Sequence, residues 1–196
     1  MFLEFIKNIN WLDVLGAVIF ARVIFIGIKK GFVNELFKLG STVLFVFILL
    51  HYYSSLADLV PNRWTISRNS LECIVFFLLW GALAFVFRFI RDGILLLFSV
   101  ETNKKFDQWG GGILAIGRGL IVCSLTLFML LLSRSDYIHK LAKTSLTRKG
   151  LLPISVKLYS GMYNGVIHKL FSEEEINDEP FEVVQIQRTY KKHARR

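Results

Sequence analysis

Four long apolar runs are spaced along the chain with polar punctuation between them, covering roughly residues 11–28, 32–53, 73–90 and 110–132. About 20 apolar residues make about 30 Å of helix, the depth of a bilayer's hydrocarbon core, so each run is predicted to be a transmembrane helix. Lys29, Lys30 and Gly31 form so short a link that the second run must return beside the first. Between the second and third runs, Asp58, Pro61, Asn62, Arg63, Ser67 and Arg68 read as an extramembrane connector, with Trp64 at headgroup level. Ser99 to Gln108 leads from the third run into the fourth. The pattern predicts an all-α membrane protein whose residues 1–133 form four transmembrane helices in an antiparallel bundle.

Residues 134–172 are polar, but about 154–171 carry a helical pattern. There Leu158-Tyr159, Met162-Tyr163, Val166-Ile167 and Leu170-Phe171 alternate with polar pairs, and Pro153 suits a first turn. Such a stripe serves a helix lying in the membrane interface or one packed under the bundle. Lys157 and Lys169, able to face anionic headgroups, favour the interface. Residues 173–196, acidic and then basic, read as disordered.

Composition sharpens the class. The chain of 196 residues is 54% hydrophobic with a mean hydropathy of +0.49, more apolar than a soluble domain of that size. The net charge of +9 would suit nucleic acid, but the Lys and Arg flank the apolar runs or fill the tail, as juxtamembrane charges do, and argue against that partner. The first run is too long for a removable signal peptide and lacks a small-residue cleavage site. Cys73 and Cys123 sit in separate runs without a CxxC or histidine partner, and read as buried structural thiols. The four histidines are dispersed, and no Ser-His-Asp order, HExxH or phosphate loop occurs. The chain is therefore expected to be no enzyme, with no catalytic residue, metal or cofactor.

Two constellations remain. Gly111, Ala115, Gly119 and Cys123 recur at every fourth residue, placing small side chains on one helical stripe where another helix can approach closely. Arg22, Glu35, Lys38, Arg88, Asp107 and Arg118 all fall in the half of the bilayer nearer the two short connections. Arginine in a membrane costs about 2.5 to 3.5 kcal/mol at the helix centre, so pairing or snorkelling is expected, with Glu35 and Asp107 as the compensating carboxylates. A polar vestibule entering halfway is the functional alternative. Lys and Arg are nearly balanced between the two sides, and the first hairpin tips the short connections toward the cytoplasm.

Three pieces of this sequence resemble the colicin V production protein family of bacterial inner-membrane proteins. Trp11-Leu12-Asp13 is similar to the family's aromatic-x-Asp opening, and Lys30-Gly31-Phe32-Val33-Asn34-Glu35 to its Arg-Gly-Phe-x-x-Glu hairpin, with Lys for Arg. In the fourth run the family's Asp-Arg, Gly, Gly and Arg-Gly fall on Asp107, Gly111, Ala115 and Arg118-Gly119, with Gln108 for Arg and Ala115 for Gly. The likeness spans roughly residues 10–170. It implies a multi-pass inner-membrane accessory or scaffold in toxin production, export and envelope maintenance. The rival is a small channel or transporter component. The expected partners are the lipid bilayer and a membrane-protein or export-machinery component, with no nucleic acid and the oligomeric state left open.

Overall fold

The computed structural model describes residues 10–60, 67–97, 104–133, 137–138, 141–142, 145, 150–170 and 175–184. Trp64 and the basic end from Lys191 lie outside the described residues. The architecture is all-α: α1 (Trp11–Lys30), α2 (Phe32–Asp58), α3 (Arg68–Leu97), α4 (Lys104–Leu132) and α5 (Leu152–Met162). The first four contain stretches long and apolar enough to cross a membrane, and they run up, down, up and down in an antiparallel bundle. Each helix runs past its apolar run at one or both ends. α2 and α3 exceed the minimum for a crossing, at about 40 Å or more of rise, so their ends carry the connector's charges.

α2 is the central helix. It buries Phe45, Val46, Leu49, Leu50 and Tyr53 against α3, α4 and α5. Tyr53, Phe76 and Phe128, from three different helices, meet with ring centroids 5.6 to 6.1 Å apart, the edge-on and tilted geometries that aromatic quadrupoles favour. α3 is peripheral: Phe77, Leu78, Phe85 and Phe89 are exposed, as on a helix bathed in lipid.

α5 differs from the interfacial placement that its lysines favoured. It packs onto α2 and α4, burying Leu152, Ser155, Val156 and Tyr159. The reason is polar as well as apolar. Ser155 N–H donates to Ser124 Oγ at 2.9 Å, and the Ser124 hydroxyl donates in turn to Leu152 O at 3.2 Å. His51 Nδ1 lies 3.0 Å from Tyr159 Oη. These bonds satisfy groups that a helix lying free in an interface would leave to water. The helix widens to a π turn over Tyr163–Ile167 and ends with His168–Leu170.

Residues 175–184, within the stretch read as disordered, are also packed. Asn177 Nδ2 donates to Leu50 O, His51 O and Ser54 Oγ, and its N–H donates to Tyr159 Oη at 2.9 Å. Residues 179–184 then form a helical turn that buries Val183. Composition pointed to disorder because the anchor is one asparagine, whose amide adds a second hydrogen bond to the Leu50 and His51 carbonyls within α2 and reaches Ser54 Oγ.

Burial pushes the Glu179 carboxyl above the usual range; Glu72 and Asp58 act in the same direction, while Arg68 and a hydrogen bond from Tyr53 oppose it. A carboxyl with a raised value takes up a proton on docking. Docking of this segment is therefore strongest below the free value of about 4.3 and weakens as pH rises through the raised one. A nitroxide carried at position 184 is expected to grow more mobile from acid to neutral pH, and to show a flat profile in Glu179→Gln. Asn177→Ala supplies the fully mobile reference.

Candidate functional site

The site is built around one residue of backbone. α1 ends and α2 begins at Gly31, whose N–H donates to Gly27 O and whose carbonyl accepts from Glu35 N–H, both at 3.1 Å. Reversing direction within one residue needs φ of +83°, which glycine adopts without the steric penalty of a Cβ. Gly31 has no side chain to cap the new helix. Asp107 of α4 does so instead, its Oδ1 accepting from Phe32 N–H at 2.7 Å. A carboxylate at a helix N-terminus satisfies an orphan amide and meets the positive end of the helix dipole. Asp107 thus serves a backbone amide, where it was expected to neutralise a cation. A Cβ on Gly31 would overlap the Asp107 carboxylate.

From Asp107 the α4 stripe runs down α1. A Cβ on Gly111 would lie 2.6 Å from Gly27 O and 2.8 Å from Gly31 C. Ala115 meets Gly27, and Gly119 faces the Phe20 ring at 2.8 Å from its own would-be Cβ. Cys123 Sγ lies 3.4 Å from Gly16 O. All four stripe residues are buried. Small faces of this kind let backbones touch where lipid gives helices no hydrophobic reason to associate. The sequence reading missed the partner surface, although Gly27 and Gly31 share the same four-residue step and were there to be read.

One turn into α2, Glu35 is fully buried. Its Oε2 accepts from Arg118 Nε at 2.8 Å, and its Oε1 pairs with Lys38 Nζ. One carboxylate is shared between two cations whose side chains are only 14% and 10% exposed, which is how buried charge is tolerated in a low dielectric. The expected pairing of Glu35 with Lys38 and Arg118 is therefore present. Arg22 is not part of it: it is exposed on α1, on the side away from α4, where its length allows snorkelling. Arg88 is also exposed, 3.9 Å from Asp92 on its own helix. Arg91, which the sequence reading passed over, holds the same Asp92 through Nε at 2.9 Å.

Between α2, α3 and α4 these charges border a groove of about 250 Å³. Lys38, Arg88, Arg91 and Arg118 line it together with Ser41 and Thr42, and its apolar part is formed by Phe45, Trp80, Phe87, Val122 and Leu125. At the opposite end of the bundle Asp13 closes the first turn of α1, accepting from Asn10 N–H at 3.2 Å and from Ser145 Oγ at 2.5 Å. Trp11 beside it is 44% exposed, as an interfacial aromatic would be. Both cysteines are free, Cys123 buried and Cys73 partly so.

A helical bundle with a shared intramembrane ion pair, a one-residue turn and a cap supplied by a distant helix defines a multi-pass membrane protein of one recognisable type. The chain belongs to the colicin V production protein family, whose model matches residues 12–156, from the first helix into α5. Two of the three pieces that carried the resemblance, Lys30 through Glu35 and Asp107 through Gly119, meet at the turn and along the helices below it, while Trp11 and Asp13 lie at the other end. No curated protein and no solved structure matches the chain.

Two outcomes follow from this geometry. Glu35→Gln strands two buried cations and is expected to cost about 3 kcal/mol or more, whereas Arg118→Gln leaves Glu35 paired with Lys38 and costs less. The triple change Glu35→Gln, Lys38→Met, Arg118→Leu recovers much of the loss. Thermal unfolding in mild detergent orders the three. Gly31→Ala is expected to collapse the folded yield, while Gly40→Ala, where a Cβ meets nothing within 4 Å, is neutral or slightly stabilising; size-exclusion profiles of the two separate them.

Proposed function

We propose that this protein is a non-enzymatic accessory or scaffold of a bacterial inner membrane, needed for colicin V production and export. The family supports the pathway. The scaffold role is supported by one observation: the three carboxylates placed along the bundle, Glu35, Asp107 and Asp13, are each engaged by groups of the chain itself. Glu35 holds Lys38 and Arg118, Asp107 holds the α2 N-terminus, and Asp13 holds Ser145. Carboxylates held in this way fix helix positions, as a platform for a membrane partner requires. A second reading, a channel or transporter component, draws on the cation-lined groove.

Expressed in a toxin-producing bacterium lacking its own family member, the chain is expected to restore release of active toxin, and Glu35→Gln at equal membrane abundance to restore less. Full insertion without any toxin release would overturn the reading. The rivals separate on Ser41→Cys in a background of Cys73→Ala and Cys123→Ala. A scaffold leaves this thiol slow with a membrane-impermeant reagent from either side, whereas a water-filled vestibule makes it fast from one side.

A further inference from the structure

We propose that the groove between α2, α3 and α4 is a binding site for an anionic phospholipid, with the headgroup phosphate on the cations and one acyl chain along the apolar wall. The charge balance argues for an anion. Lys38 and Arg118 share Glu35, and Arg88 and Arg91 share Asp92. Among the described residues, each pair of cations therefore has one carboxylate between them, and one positive charge per pair is left over at the same groove. Unbalanced cations at membrane depth are costly and call for a counter-ion.

The layout argues for an amphiphile. Lys38, Arg118, Arg88 and Arg91 lie toward the end carrying the Gly31 turn. Phe45 and Leu125 lie seven residues further along α2 and α4, about 10 Å deeper by helical rise. Trp80 lines the same groove from α3, eleven residues from Arg91. Charge toward the helix ends, above an apolar trough, is the complement of a phosphate ester above its hydrocarbon chain. The Arg88 side chain is 76% exposed, so the cationic part of the groove is reachable from outside the bundle. At about 250 Å³ the groove is smaller than a drug-sized pocket. It takes the headgroup and the upper part of one chain, leaving the rest in the bilayer. The shared chemistry is a phosphate oxyanion, and the apolar wall commits the site to lipid over free phosphate.

The test uses the full chain with Trp80 as its sole tryptophan, through Trp11→Phe, Trp64→Phe and Trp109→Phe, in mixed micelles doped with phospholipid brominated on the acyl chain. Brominated phosphatidylglycerol is expected to half-quench Trp80 at roughly fivefold lower mole fraction than brominated phosphatidylcholine, the effect of about one interfacial cation. Arg88→Gln, a change on an exposed side chain, should reduce that preference, and Arg88→Gln with Arg91→Gln should abolish it. A chain retaining only Trp109, which borders a separate groove on α1 and α4, should show no preference. Equal quenching of Trp80 by both lipids overturns the proposal, as does a preference that survives loss of both arginines. Millimolar inorganic phosphate that removes the preference as fully as the double change does would assign the site to free phosphate and overturn the lipid.

Discussion

Everything in this bundle follows from the decision to reverse the chain in one residue. A turn that short leaves the first amides of α2 pointing at α4 and brings the α1 and α2 backbones within reach of its small residues. Only a helix with no side chains in the way, and a carboxylate at its head, fits there. Asp107, Gly111 and Ala115 meet those demands in order, at a spacing of four, because α4 lies along α1 and presents one stripe to it. Arg118, three residues beyond Ala115, is then carried round toward α2 and reaches Glu35. Cap, close packing and ion pair are successive turns of one helix meeting one hairpin.

The two ends of the bundle are stabilised by different means. Near Gly31 the contacts are backbone against backbone and charge against charge, with few large side chains. Toward the other end, Tyr53, Phe76 and Phe128 fill the space between helices, and α5 and the 175–184 segment cover α2 through Tyr159 and Asn177. In lipid, where burying apolar surface gains little, the first kind of contact specifies which helices pair, and the second fills what remains.

Four spans, their alternation and the α4 stripe were legible from residue type and period alone, because insertion and close approach are set by local composition. Glu35, Lys38 and Arg118 were found because charge in an apolar run has few solutions. Arg22 and Arg88 were grouped with them on depth, and depth does not fix the azimuth of a side chain around its helix; Arg22 is exposed on the side of α1 away from α4, and Arg88 pairs with Asp92 on its own helix at the groove's edge. The carboxylate of Asp107 went to an amide, since the cost of an uncapped helix start is invisible in a count of charged residues. The docking of α5 and of Asn177 was hidden for a related reason: it depends on the Ser124 hydroxyl and on carbonyls within α2 that accept a second hydrogen bond, which no sequence pattern displays.

The most extensively packed helix pair among the described residues, α1 with α4, is also separated by the most chain among the four spans. While the ribosome is still making α3, Gly27 and Gly111 have not met, the first amides of α2 have no cap, and Glu35 holds only Lys38 of its two eventual partners. The early hairpin is thus an open fork in the membrane, polar at its hinge, and its groove-facing side is suited to any small-faced helix that arrives. Arrival of α4 closes all three gaps at once. Assembly is a latch whose bolt is the fourth of these spans, and a chain cut short before it keeps the hairpin with its cap, its close packing and its second cation all missing.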